Sequence, residues 1–315
     1  MSEMIEHFAE VPAEMALKRL DHVAADLFPQ YSRSRLQQWI ENGELTVDGE
    51  VRKSKHKVSA GASLKIQATP EVSNAEPEDI ALTVLFEDEV VLVLNKPAGF
   101  VVHPGAGNPG GTLQNALLHY CPSLMSIPRA GIVHRLDKDT SGLLVVAKSL
   151  ESQNHLVKQL QSRAVKRIYE AICYGITPSS GKVVANIGRH PHMRTKMSVQ
   201  VHGKEAATHY RLLTGYRHHS HVELSLETGR THQIRVHMQH LGFPLVGDPT
   251  YGGTFRKPAD SPDERLVDSL RYFPRQALHA RRLSFEHPQT GKEVSFEVDL
   301  PRDMTDLLAL LAQSQ

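Results

Sequence analysis

Cysteine is nearly absent from this 315-residue chain, which holds only Cys121 and Cys173. Two thiols so far apart in sequence supply neither a disulfide framework nor a zinc ribbon, and they predict a reducing compartment. Long apolar runs are missing too. No stretch approaches the roughly 20 residues that a membrane span needs. The acidic opening MSEMIEHFAEVP lacks both a basic n-region and an apolar h-region. The expectation is a soluble, cytoplasmic protein with no membrane partner. Repeats and low-complexity tracts are also lacking, which leaves a globular chain long enough for one large core and one small module.

Net charge is the last absence: 36 Lys and Arg against 35 Asp and Glu leave +1. The charge is unevenly divided along the chain. Residues 71–90 carry seven Asp or Glu and no Lys or Arg, whereas residues 152–240 carry 13 Lys or Arg against four Glu and no Asp, and eleven of the 19 histidines. A surplus of nine cations in one segment of a neutral chain is the footprint expected of a polyanion partner.

The N-terminal part reads as a unit over residues 14–75. Apolar positions Met15, Leu20, Val23, Ala24 and Leu27 recur at helical spacing in AEMALKRLDHVAADL, and YSRSRLQQWIENG reads as a second helix between an N-cap at Ser32 and Gly43. In ELTVDGEVRK, Asp48-Gly49 marks a type I′ turn between Leu45-Thr46-Val47 and Val51. Arg33 and Arg35 fall in the first turn of the second helix, where the macrodipole disfavours cations, so an anion is expected beside them. Lys53, Lys55 and Lys57 alternate, and on an extended segment they share one face. This segment resembles the S4 RNA-binding domain, which implies that Arg33, Arg35 and the three lysines face RNA phosphates.

An acidic, proline-containing linker follows, with the start of the core inside residues 76–88, and the core itself extends over 80–312. Strand patterns at 165–175, 205–214 and 221–228 alternate irregularly with a few helices, among them one at 112–121. The class is therefore α+β: a mixed, largely antiparallel sheet with peripheral helices.

Three segments of the core carry chemistry. In GIVHRLDKDTSGLLVVAKS, two apolar runs that read as strands flank a polar insert, in which Arg135, Asp137 and Asp139 share one side if the chain stays extended. The Ser-Gly that follows favours a turn role for Asp139. In KRIYEAICYG, Tyr169 alternates with its neighbours along a strand. In ETGRTHQIRVHMQHLG, Thr231 reads as an N-cap, Gly242 as the stop, and Ile234, Met238 and Leu241 as a buried stripe. Arg235 then lies at the edge of that stripe, where its guanidinium fork suits a carboxylate.

In this order, and with NKPAGFVVHPG before them and GDPTYGG and LHARRLSFEHP after, these segments resemble the RluA-type pseudouridine synthases over about residues 80–300. The resemblance implies the pseudouridine synthase fold and an isomerase acting on uridines of large-subunit ribosomal RNA, specifically the loop of helix 69, free or within an assembling 50S particle. It implies no cofactor and no metal, and nothing demands more than a monomer. It makes Asp137 the essential acid, Tyr169 the active-site tyrosine and Arg235 the partner of the acid. Arg135, with His134 beside it, serves the substrate, and Ile234 packs the site.

Other readings of the same residues remain. The same chemistry on another rRNA or tRNA uridine would use the same side chains. A glycosidase would use Asp137 and Asp139 as an acid–base pair. A metal hydrolase fits poorly, because His232 and His237 lie about 140° apart on a helix and only His237 and His240 share a face. An RNA-binding assembly factor would need the basic segment and the S4-like unit, but not Asp137.

Overall fold

Exposure alternates along IEHFAE, and that pattern builds the first strand, β1 (Ile5–Glu10). The structure, a computed structural model, describes residues 4–29, 31, 33–68, 75–105, 108–193, 195–253 and 263–314. After β1 come α1 (Leu20–Leu27), α2 (Arg33–Asn42), β2 (Leu45–Val47) and β3 (Ser63–Ala68), with the three strands antiparallel in the order β1-β3-β2. Leu20, Val23, Leu36, Trp39, Ile40, Leu64 and Ile66 pack between helices and sheet. The sheet thus recruits residues ahead of the segment that reads as a unit from sequence.

Helical spacing from residue 13 onward overstates α1, which starts at Leu20. Leu17 sits at φ 62, and the Leu17 and Leu20 N–H groups bond to Val58 and His56 carbonyls at 2.8 and 2.7 Å. The backbone there serves the neighbouring loop, not a helix. Ser32, read as the N-cap of α2, lies outside the described residues. Asp48 and Gly49 do form the expected turn, at φ 52 and 79, and close it with reciprocal Val47–Glu50 bonds of 2.9 Å. No second strand of a hairpin follows, however, because β2 pairs with β3. Lys53, Lys55 and Lys57 consequently do not alternate on a strand. A His56 N–H to Lys53 carbonyl turn interrupts the segment, and all three lysines are exposed on a loop.

The core strands are β4 (Val84–Glu87), β5 (Val91–Lys96), β6 (Ser141–Ala147), β7 (Lys166–Tyr174), β8 (Ser180–Val184), β9 (Ile187–Arg189), β10 (Met197–Val199), β11 (Ala207–Gly215), β12 (His219–Leu226), β13 (Leu278–Glu286) and β14 (Glu293–Glu297). Its helices are α3 (Leu113–Tyr120), α4 (Leu150–Gln161), α5 (Gln233–His240), α6 (Glu264–Arg271) and α7 (Arg302–Gln313). One large sheet runs β4-β5-β6-β13-β7-β12-β11-β8, with β14 on β13, and β9 and β10 form a separate ribbon. Among the described pairings of the large sheet, only β6–β13 is parallel. The α+β expectation, with a mostly antiparallel sheet, describes this architecture. The strands buried on both faces read as unbroken apolar runs, as in β6, where all seven residues are buried.

Two local differences shape the polar insert before β6. Residues 132–133 do not form a strand; Ile132 makes one isolated bridge to Val146, because Arg129, Ala130 and Gly131 all adopt positive φ just before it. Gly131 is required there, since a Cβ would stand 1.9 Å from the Ala147 carbonyl oxygen. Gly142 closes the other end at φ 112, with a Cβ position 2.3 Å from the Ala280 carbonyl oxygen. The insert is thus clamped between close backbone approaches to β6 and β13.

Candidate active site

The insert, β7, the end of β12 and the start of α5 surround a cavity of about 780 Å³, within the range of small-molecule sites. His134, Arg135, Asp137, Tyr169, Ile234 and Arg235 all line it. These come from three segments spread over a hundred residues of sequence. The turn closed by Thr140 N–H on the Asp137 carbonyl directs the Asp137 side chain inward and holds Asp139 in the turn itself. Asp139 is not among the lining residues, so the paired carboxylates that a glycosidase needs are not both presented.

Arg235 organises the acid. It is 5% exposed, and its Nη1 donates to Asp137 Oδ2 at 3.0 Å while Nε and Nη2 donate to Asp248 at 2.7 and 2.9 Å. Burial alone would lower the Arg235 pKa, but the hydrogen bonds and charges of Asp248 and Asp137 outweigh it and hold the guanidinium above its ordinary value. Asp248 also accepts the Thr250 and Tyr251 N–H groups at 2.8 and 2.9 Å, and the Arg235 guanidinium lies 5.0 Å from the Tyr251 ring centroid. The α5 cap differs from the expected Thr231: His232 occupies it at φ 57, without a side-chain capping bond. His232 instead faces the site, with Nδ1 2.8 Å from Tyr251 Oη and Nε2 4.0 Å from Asp137 Oδ1.

Below the insert lies Lys96, 1% exposed, whose ammonium donates to the carbonyls of Pro97, Phe100 and Lys138 at 2.8 to 2.9 Å. Burial pushes its pKa down to about 7, against the pull of Asp139 and Asp137. It fixes the backbone next to Asp137 from underneath. Tyr169, 6% exposed, forms part of the cavity wall. Burial raises its phenol above the ordinary value against the pull of the Arg167 charge, with Asp137 adding to the rise, so it stays protonated at neutral pH. Its ring is a stacking surface for a flat ligand. Ile234 is buried beneath the cavity, and Arg135 is exposed at its mouth. His134 accepts the Val145 N–H on Nε2 at 3.2 Å, which gives it a bond to β6 besides any contact with a ligand.

The structure does not bring the N-terminal residues to this cavity. The anion expected beside Arg33 is internal: Arg33 Nη2 donates to Asp21 at 2.6 Å, joined by Arg19 and Gln37. Burial would raise the Asp21 pKa, but these hydrogen bonds outweigh it and hold the carboxyl well below the usual range. Arg35 is buried, with its guanidinium 5.5 Å from the Trp39 ring centroid. Lys53, Lys55 and Lys57 stay exposed on their loop.

Among the described residues, no group of three His, Cys, Asp or Glu is arranged to hold a metal. His237 is occupied on both ring nitrogens, by Thr208 and the Ala185 carbonyl. No described helix is long and apolar enough to cross a membrane. Sequence reasoning missed Asp248, Lys96, His232 and Tyr251 as parts of the site. The first and last lie in GDPTYGG and Lys96 in NKPAGFVVHPG, two motifs noted for resemblance only.

A family model for RNA pseudouridylate synthase matches residues 90–240, and a model for the S4 domain matches residues 18–64. The ribosomal large subunit pseudouridine synthase D of Pseudomonas aeruginosa is 55% identical over 316 residues, spanning 100% of this chain and 98% of that protein. The protein of the same name from Escherichia coli K12 is 48% identical over 313 residues, spanning 99% and 96%. Among solved structures, human RNA pseudouridylate synthase domain containing 4 is similar at TM-score 0.57 and 25% identity, covering 73% of this chain and 93% of that one. The corresponding human protein domain containing 1 is similar at TM-score 0.53 and 26% identity, over 75% and 96%.

Proposed function

The chain belongs to the RNA pseudouridylate synthase family, and from that membership we propose that it isomerises uridines of large-subunit ribosomal RNA, those in the loop of helix 69, with Asp137 as the reacting acid. The observation that carries the residue assignment is the Arg235–Asp137 pair, which turns one carboxylate into a cavity walled by Tyr169.

Isomerisation breaks the N1–C1′ bond, rotates the detached uracil, joins C5 to C1′ and removes the C5 proton. Asp137 starts this by attacking C1′ or by taking the C2′ proton to give a glycal; both routes use the same oriented carboxylate. Arg235, fixed from behind by Asp248, holds that carboxylate in place. Tyr169 stacks on the uracil while it turns. The uridine leaves its own stack at a cost of a few kcal/mol, and the exposed Arg135 at the mouth grips the strand or fills the gap.

The test uses large-subunit rRNA transcripts carrying tritium at uridine C5, and pre-50S particles labelled in the same way. Release of tritium, with pseudouridine mapped to the helix 69 loop by chemical labelling and reverse transcription, is the expected result. Release from neither substrate would refute the reading.

The S4-like unit adds affinity by phosphate contact in this reading. Replacing Lys53, Lys55 and Lys57 together by alanine is expected to lower the slope of log Kd against log salt by about 2, since each phosphate contact contributes roughly 0.7 to 0.9. An unchanged slope would remove the lysine loop from the RNA interface.

A further inference from the structure

Six arginines line the cavity, and burial divides them into two groups. Arg129, Arg135, Arg163 and Arg230 are exposed at the rim, whereas Arg235 and Arg167 are 5% and 7% exposed. Arg235 shares its charge between Asp137 and Asp248. No hydrogen bond or ion pair joins the Arg167 guanidinium to any described residue, and its Nε is buried without an acceptor. A nearly buried cation with no counter-charge costs stability, and one that lines the cavity is placed to meet a ligand there.

The fold makes room for this group. Arg167 precedes Tyr169 by two residues on β7, so both side chains leave the same face of the sheet, about 6 to 7 Å apart along the strand. Across from it the chain narrows to Gly229, where a Cβ would come within 2.7 Å of Arg167 Nη1. The guanidinium therefore sits in a slot beside the ring that receives the base.

We propose that Arg167 binds a carbonyl oxygen of the detached uracil and stabilises the negative charge that the base carries between glycosidic cleavage and C–C bond formation. The inference rests on the isomerase reading above. When N1–C1′ breaks, its electron pair leaves with the uracil, and the charge spreads over N1, O2 and O4. C1′ is satisfied by a bond to the Asp137 carboxylate or by loss of the C2′ proton to it. The base stays anionic until C5 joins C1′, the carboxylate is restored, the C5 proton departs and N1 gains a proton. Both routes therefore pass through the same anion. Phosphates stay at the exposed rim, and the base is the deepest part of an extruded nucleotide, so the deep cation meets the base. Neutral uracil interacts weakly with it and the anion strongly, which places the gain in the chemical step.

Arg167→Met in the full chain is expected to slow single-turnover tritium release at saturating RNA by about 10² to 10³-fold, the scale for losing one such donor. RNA Kd should change by less than about threefold. The melting temperature should stay level or rise, because an unpaired buried charge is removed. In Arg167→Ala, millimolar guanidinium should restore at least about tenfold of the rate, and urea, its neutral counterpart, should restore none. Gly229→Ala, which displaces the guanidinium without deleting it, should fold normally and lose about tenfold in rate.

A wild-type turnover rate in Arg167→Met would overturn the proposal. So would a loss confined to Kd, which would mark a phosphate anchor, or a melting temperature that falls along with the rate, which would mark a structural arginine. Equal rescue by guanidinium and urea would overturn it as well. Wild-type protein inactive on every large-subunit substrate refutes the isomerase reading instead.

Discussion

Asp137→Asn is expected to slow tritium release from C5-labelled rRNA on the order of 10⁴-fold or more, while leaving RNA Kd within about threefold and the melting temperature nearly unchanged. The substitution is isosteric. Its amide oxygen still accepts from Arg235 Nη1, and Arg235 keeps both bonds to Asp248. In the proposed mechanism the substitution removes the charge and basicity with which the carboxylate attacks C1′ or takes the C2′ proton, and no neighbour replaces them. Asp139 is outside the cavity lining, Glu227 is held by Lys182, His209 and Arg163, and His232 lies 4.0 Å from the acid it would have to replace. The His232 ring is held on Nδ1 by Tyr251 Oη at 2.8 Å, which fixes its Nε2 away from the position the carboxylate oxygen occupies. Substantial turnover in Asp137→Asn would move the reacting acid elsewhere, whereas a loss of affinity equal to the loss of rate would make Asp137 a binding residue. An RNA-binding assembly factor predicts no rate to lose.

How far the sequence carries depends on the range of the interaction. Several signals confined to a few residues survive: Asp48-Gly49 turns where expected, and the helix read at 112–121 appears as α3, whereas the cap expected at Thr231 falls on His232. Gly242 ends α5, and the α5 stripe leaves Arg235 at the core boundary and able to reach a carboxylate. Asp137, Tyr169 and Arg235 were legible because each has an unusual local setting and their order resembles a known one. Signals that depend on a distant partner were not legible. Helical spacing in AEMALKRL loses to a tertiary pairing of Leu17 and Leu20 with residues 56 and 58. Val51 leaves its hairpin because β3 offers β2 a longer ladder. Arg33 finds its anion in Asp21, and the parallel β6–β13 pairing joins segments 138 residues apart, His279 against Ser141. Asp248 is the clearest omission: a lone acid in a turn carries no local mark of the buried arginine it holds.

That omission sets up a large structural effect. Arg235→Gln removes one guanidinium from between two carboxylates. Asp248, whose side chain is 0% exposed, would keep only the Thr250 and Tyr251 N–H donors, and Asp137 would lose its closest cation. Breaking a buried pair by deleting one partner costs about 3 to 5 kcal/mol, which for a chain of this size lowers the melting temperature by about 5 to 8 °C. Turnover should fall at least about 10³-fold beyond that, measured below the melting point on the folded fraction, because the acid is no longer aimed at C1′. Stability and activity separate in the double variant Arg235→Met with Asp248→Asn. Asp248→Asn removes the stranded charge while the amide oxygen still accepts both backbone N–H groups, and the methionine fills the apolar volume of the arginine stem, so more than about half of the lost stability should return. Turnover should not return, since nothing then orients Asp137. Recovery of both together would show that Arg235 supports the fold alone; recovery of stability without turnover ties the buried arginine to the aim of the carboxylate.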